Sequence, residues 1–369
     1  MSADKQLHFD PHVLTIADLK KAAGRHATPV NSDYFNEGAG DLYTVAENED
    51  AYRRYMLRPR ILRDVKDLDM STTLFGVPVA APLGFSPAAA HKLAHPDGEI
   101  GTSRAAAANN IPMCLSSWST CSLEDVIAES SGNPYAMQVT FVKDYSITEM
   151  IIKRAEAAGY KAIFVSVDLP VIGSRLNEAR NNFQHPLEAT LPNLNFPDGR
   201  QVPDDSYTYD PSISWEKNIA WLRQQTNMKI WLKGVYTAED VKLAIKHNLD
   251  GVLISNHGGR QLDGVPATLD SLRECAEVAK GKIPIGVDGG IRRGSDIFKA
   301  IALGADFCFV GRIPVWGLAY KGWAGVDLAI KILLKELQQT MMLCGCRTIA
   351  DIKRDYVAML GPNGTLAKL

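Results

Sequence analysis

Eight short, nearly unbroken apolar runs punctuate the chain. They are PVAAPLGF (78–85), PMCLSS (112–117), YAMQVT (135–140), AIFVSVD (162–168), KIWLK (229–233), GVLIS (251–255), PIGVD (284–288) and FCFVG (307–311). Runs without polar alternation predict strands covered on both faces, as in a parallel sheet. Between them lie SLEDVIAES, ITEMIIKRAEAAG, TAEDVKLAIKHN and GSDIFKAIALGA, whose apolar residues recur at helical spacing. Several of these segments open on Ser or Thr, residues suited to cap a helix. Strands alternating with helices eight times over predict an α/β fold, a (β/α)8 TIM barrel. An open nucleotide-binding sheet would carry G-x-G-x-x-G after its first strand, and SPAAAHKLAHPDGE stands there instead.

Helical patterns near 16–26, 32–38 and 45–57 predict an N-terminal helical cap over 1–77, closing one barrel end. The barrel with its C-terminal helices takes 78–369, and no linker or repeat divides the chain into two domains. One connection is far longer than the usual few residues. About sixty residues separate the fourth and fifth runs, and their middle, HPLEATLPNLNFPDGRQVPDDSYTYDPS, is rich in Pro, Asp and Asn. This long loop after strand 4 reads as a lid or a mobile loop, with few apolar anchors across 184–212.

Charge adds mainly exclusions. Forty basic and forty-two acidic residues leave a net charge of −2, so no attraction to nucleic acid or to a membrane surface is expected. The six cysteines do not make a disulfide framework, and CGC at 344–346 reads as reduced thiols rather than a metal site. His91 and His95 have the spacing of a helical metal pair but lack its glutamate, so no metal is expected. The terminal AKL lies close to a peroxisomal address, with the cytoplasm as the alternative location.

Chemistry in such barrels sits at the C-terminal ends of the strands. Those ends carry Ser116, Gln138, Thr140, Ser166, Asp168, Lys233, Ser255, His257, Asp288 and Arg312, a concentration of polar groups that predicts a polar ligand site. The last two strands are followed by VDGGIRRG (287–294) and VGRIP (310–314). Glycines there admit an anion to backbone N–H groups, and Arg292 or Arg312 supplies charge, so a phosphate site is expected. ISNHGGRQLDG (254–264) places His257, a base near neutral pH, beside Arg260. Asp168 can orient the imidazole, Arg175 and Arg260 can fork a carboxylate, and the glycines would bring this loop over a flat ligand.

The motifs AENEDAYRRYMLRPRIL, LAHPDGE, LSSWST, VKGV, SNHGGRQLD, VDGGIRRG and GCR resemble those of the FMN-dependent L-2-hydroxy acid oxidases and dehydrogenases, from about residue 14 to the C-terminus. The resemblance implies bound FMN. Pro87, Ala88 and Ala89 would line the flavin; Ser116, Gln138 and Ser166 would bond its ring; Lys233 would face N1 and the C2 carbonyl; Ser255 would share that environment. Asp288 would hold the ribityl chain, and Gly289, Gly290, Arg292, Gly311 and Arg312 the phosphate. Tyr34, Arg175 and Arg260 would bind the substrate carboxylate, with Trp118 and Thr140 beside the substrate. His257, paired with Asp168, would take the hydroxyl proton while the C2 hydrogen passes to flavin N5. Oxygen would then yield hydrogen peroxide and a 2-keto acid, and the assembly would be a homotetramer.

Two positions depart from the family pattern. Where it has Q-x-Y, this chain has Gln138-Val139-Thr140, and its P-T-A is Pro87-Ala88-Ala89. The first change bears on which acid is used: L-lactate, glycolate or a larger homologue. Three other readings stay open: a dehydrogenase passing electrons to another acceptor, a flavin-binding module without turnover, and a phosphate-sugar barrel without flavin.

Overall fold

The computed structural model describes residues 9–184, 190–361 and 363–368. Strand β1 (Tyr55–Leu57) and the hairpin β2 (Thr72–Leu74) and β3 (Val77–Val79) precede the barrel. The barrel strands are β4 (Leu83–Phe85), β5 (Met113–Ser116), β6 (Tyr135–Thr140), β7 (Ala162–Ser166), β8 (Lys229–Val235), β9 (Gly251–Ile254), β10 (Ile285–Val287) and β11 (Phe307–Val310). They pair in parallel in chain order, and β11 returns to β4 to close the ring. After the barrel, β12 (Val357–Leu360) and β13 (Leu366–Lys368) form a small antiparallel sheet with β1.

Side chains alternate along a strand, so inward residues come two apart. At the base these are Cys114, Ala136, Phe164, Trp231, Leu253 and Phe309, one buried apolar cluster. Phe164 and Trp231 stack at 5.4 Å, and Phe75 of the β2–β3 turn meets both edge-on. Two residues further along the same rows stand Ser116, Gln138, Ser166 and Lys233. Strand register then brings Ser116 level with Gln138, and Ser166 level with both Thr140 and Lys233. The barrel is therefore packed at its base and polar at its mouth, with one alternation generating both.

The first predicted run is corrected. Residues 78–85 do not form one strand: Val77–Val79 pairs antiparallel with β2, and only Leu83–Phe85 enters the barrel. Pro82 lacks an N–H to donate and marks the break. The single-ended cap is corrected too. Helices Ile16–Ala23, Pro29–Asn36 and Tyr43–Arg54 form, and the second brings Tyr34 and Phe35 to the mouth, while Leu74 and Val79 plug the base. Residues 55–57 leave the predicted third helix because they pair with β12.

The long insertion holds a short helix, Leu176–Arg180, a 3-10 turn, Asp204–Tyr207, and real anchors. Residues 185–189 of the expected mobile loop lie outside the described residues. Across 190–212, Leu194 and Phe196 are buried. Asn193 accepts from Leu123 N–H at 2.8 Å and donates to Ser119 Oγ at 2.6 Å. To these apolar anchors polar residues add much of the anchoring of this part. At the C-terminus, Ala367 and Lys368 pair with Met359 and Ala358, and Leu369 of the AKL ending lies outside the described residues.

Because Phe164 is fully buried between Phe75, Trp231 and Phe309, Phe164→Ala is expected to destabilise the apoprotein by about 3–5 kcal/mol. Urea unfolding checks this, and a loss below about 1 kcal/mol would show that the base is not packed as described.

Candidate active site

A cavity of about 380 Å³ opens at the barrel mouth, within the range of small-molecule and cofactor sites. Of the predicted site residues, Tyr34, Pro87, Ala88, Ala89, Ser116, Trp118, Gln138, Thr140 and Ser166 line it. So do Arg175, Lys233, His257, Arg260, Asp288, Gly289, Gly290, Arg292, Gly311 and Arg312. Asp168 and Ser255 do not; both act from behind His257. Ser255 is buried, and its Oγ accepts from the His257 N–H at 3.1 Å, which holds the loop.

His257 has a left-handed backbone (φ +57°), rare for a residue with a β-carbon. Its Nδ1 lies 3.1 and 3.3 Å from the two Asp168 oxygens and 3.5 Å from Lys233 Nζ. Gln261 fixes the same corner by donating to the Asp168 carbonyl at 2.8 Å. Burial, reinforced by Lys233, lowers the imidazole's affinity for a proton, while Asp168 partly restores it. Burial alone would raise the Asp168 carboxyl, but His257 and Lys233 outweigh it and hold that group below its usual range. The arrangement is a neutral imidazole beside a carboxylate, the state a general base needs.

The glycines of this loop also leave room for a neighbouring side chain. A β-carbon at Gly258 (φ +65°), which lines the cavity, would stand 2.8 Å from Arg312 Nη1, so the bare backbone makes room for a guanidinium. Arg312 donates to the carbonyls of Phe35, Gly258 and Glu37 at 2.9, 2.9 and 3.0 Å, and no carboxylate bonds it among the described residues. Burial, with Arg260 and Arg292 nearby, pushes its pKa down to about 9. A cation so placed calls for an anion. Arg292, by contrast, already bonds Glu49 at 2.8 Å.

Asp288 supplies a second unmatched group: Oδ2 accepts from Ser86 Oγ at 2.6 Å, whereas Oδ1 is buried with no hydrogen-bond partner among the described residues. Across the mouth, Gln138 accepts from Ser116 Oγ at 3.3 Å and from Ser117 N–H at 3.2 Å, and donates to Ser166 Oγ at 3.2 Å. A phosphate at Arg312, a polyol hydroxyl at Asp288 Oδ1 and a heteroaromatic ring edge along Ser116, Gln138 and Lys233 are the parts of FMN, and the residues present fit it.

On the remaining side, Arg260 donates to the Tyr34 carbonyl and, at 3.0 Å, to Glu178, while Arg175 approaches Glu178 at 3.6 Å. Phe183 stacks on Tyr34 at 4.4 Å. Glu178, Phe183 and Tyr209 line this part of the cavity and were missed in the sequence. Only the three-residue spacing from Arg175 to Glu178 on one helical turn could have pointed to the first of them.

Fold and site together define a barrel flavoenzyme whose mouth gathers a histidine beside an aspartate and a pair of arginines. The chain belongs to the FMN-dependent dehydrogenase family, whose model matches residues 23–359. It is 50% identical over 365 residues to Oxidase FUB9 of Fusarium oxysporum f. sp. lycopersici, covering 96% of this chain and 94% of that one. It is 41% identical over 346 residues to 2-Hydroxyacid oxidase 2 of Bos taurus, covering 94% and 98%. Among solved structures, a mandelate oxidase variant with (S)-mandelic acid superposes with a TM-score of 0.86 at 33% identity, covering 92% of this chain and 97% of that one. The chain is an FMN-dependent enzyme that oxidises 2-hydroxy acids.

The acid limb of kcat/KM reports protonation of the base in free enzyme. Since burial and Lys233 lower the His257 pKa, that limb is expected below the ordinary histidine value of 6.5. Asp168 raises that pKa, so Asp168→Asn should move the limb to still lower pH while cutting the plateau at least about tenfold. A limb that stays in place or moves upward in pH–rate profiles would remove Asp168 from this role.

Proposed function

We propose that this enzyme oxidises an L-2-hydroxy acid larger than glycolate and passes the electrons to O2, giving a 2-keto acid and hydrogen peroxide. The convergence of His257, Arg175 and Arg260 on one cavity carries the reading. Arg175 and Arg260 grip the carboxylate, with Tyr34 beside them, and this fixes the α-carbon relative to His257. His257, with Nδ1 turned to Asp168, presents Nε2 to the substrate hydroxyl and accepts its proton. Asp168 stabilises the imidazolium that results. Bound FMN supplies a two-electron acceptor for the α-hydrogen. Arg312 and Asp288 would hold its phosphate and ribityl ends, and Lys233 would place a positive charge at the ring edge. The mandelate oxidase likeness supports a substrate with a side chain, as does Thr140, a short residue sharing the cavity with Trp118, Leu169 and Ile172.

His257→Gln tests the chemistry. It should retain FMN while slowing anaerobic flavin reduction by about 10² to 10⁴-fold, and reduction within threefold of wild type would sink the assigned role. A peroxide assay run alongside keto-acid analysis tests the acceptor, with one peroxide expected per keto acid.

Size selectivity is tested separately. A longer acid gains about 0.8 kcal/mol per buried methylene, so L-lactate or a larger acid should exceed glycolate in kcat/KM. Thr140→Tyr should shift that ratio back toward glycolate. A wild-type preference for glycolate, unchanged by the substitution, would refute the pocket argument.

A further inference from the structure

We propose that Tyr209, carried by the long insertion after β7, is a substrate-binding residue whose hydroxyl donates a hydrogen bond to the substrate carboxylate beside Arg175. The proposal rests on the 2-hydroxy acid reading above and names a contact that the strand ends do not supply.

The backbone fixes where this side chain goes. Residues 208–210 run antiparallel to 141–143, immediately beyond the mouth end of β6: Val142 bridges Tyr209, Lys143 N–H donates to the Thr208 carbonyl at 2.9 Å, and Asp210 N–H donates to the Phe141 carbonyl at 3.1 Å. In extended chain, successive side chains point to opposite sides. Asp210, itself buried, turns away from the cavity, and its carboxylate accepts from Tyr145 Oη at 2.7 Å and from Ser212 Oγ at 2.7 Å. Thr208 is exposed and donates to the Asp205 carbonyl. Tyr209 between them is left facing the cavity, which it lines together with Thr140, Arg175, His257 and Arg260.

The anchoring behind it is firm. Tyr145 Oη, which donates to Asp210, itself accepts from Asn218 Nδ2 at 2.7 Å, and Asn218 Oδ1 accepts from Ser214 N–H at 2.7 Å. These bonds fix both sides of Tyr209, whereas its own hydroxyl has no hydrogen-bond partner among the described residues. A polar group preorganised in this way costs little further ordering when a ligand accepts from it.

The electrostatic surroundings identify the ligand atom. The charges acting on the phenol are those of Arg175, Asp168 and Arg260, with Arg175 the strongest. Burial, the dominant influence, keeps the phenol protonated well past neutral pH, so it is a donor under assay conditions. A guanidinium has no acceptor for the phenol's proton, so the acceptor that the two donors can share is an anion. Glu178 already engages both arginines, so a third donor helps an incoming carboxylate compete for them. A carboxylate contact is the same in the ground state and the transition state, and its loss raises KM while leaving kcat in place.

Tyr209→Phe keeps the ring and removes only the hydroxyl. KM for the best 2-hydroxy acid, and the Kd of its 2-keto product read from flavin absorbance, should each rise about tenfold or more, as for a hydrogen bond to a charged group. FMN content should be unchanged and kcat should stay within about threefold. KM and Kd within twofold of wild type would show that Tyr209 is only a wall, and a fall in kcat at constant KM would place the hydroxyl at the reacting atoms instead; either result overturns the proposal. Wild-type enzyme whose flavin no 2-hydroxy acid reduces would instead sink the functional reading, and this proposal with it.

Discussion

One cation ties the barrel mouth together. Arg312, the first residue of the helix after β11, spends its guanidinium on three carbonyls, two from the N-terminal segment and one from the His257 loop. Those bonds fasten the residues around Tyr34 to the loop that carries the base. Carbonyl oxygens offset only part of what a buried cation loses on leaving water, as its depressed pKa records. Holding the mouth together and demanding an anion are thus one physical fact, and a bound phosphate would answer the demand.

The other charges follow the same logic at different degrees of completion. Arg292 is matched by Glu49, and Arg260 and Arg175 share Glu178. Lys233 faces the Asp168–His257 pair. Two arginines on one carboxylate leave a net positive charge beside the base, and a monocarboxylate neutralises it. The imidazole sits between a cation that disfavours its protonation and an anion that favours it. Such a balance keeps the base neutral at rest and still stabilises it once it has taken a proton.

Sequence reading reached the barrel because its strands are apolar on both faces, so composition alone marks them. It reached the strand-end residues because the alternation that buries Phe164 and Trp231 must also turn Ser166 and Lys233 inward. It failed where that period ends. The run at 78–85 looks uniform in composition, yet Pro82 and the hairpin partner Thr72–Leu74 divide it, and pairing partners leave no mark on composition. Glu178, on the short helix Leu176–Arg180, and Tyr209, in irregular chain, both come from the long insertion, where position is set by bonds to residues far off in sequence.

The same limit explains the third N-terminal helix. Tyr43–Arg54 begins after Leu42, which has a left-handed backbone and offers no capping side chain. Its cap comes from the His257 loop: Asp263 accepts from the N–H groups of Asp41 and Thr44 at 2.9 and 2.8 Å, across about 220 residues. A negative charge at a helix start satisfies orphan N–H groups and opposes the helix dipole favourably wherever in the chain it originates. In return, the helix presents Asn48, whose amide exchanges bonds of 2.9 and 2.8 Å with Asn256, directly before His257. It also presents Glu49 to Arg292. Backbone this close leaves no room for side chains: a β-carbon at Gly290 would fall 1.8 Å from the Asn48 carbonyl oxygen. The loop therefore starts the helix, and the helix positions the loop and one of the arginines facing the cofactor. A histidine held at φ +57° needs support of this kind. It also explains why the residues that cap a helix 220 positions away are the neighbours of the base: the strained turn and the uncapped helix each lack what the other supplies.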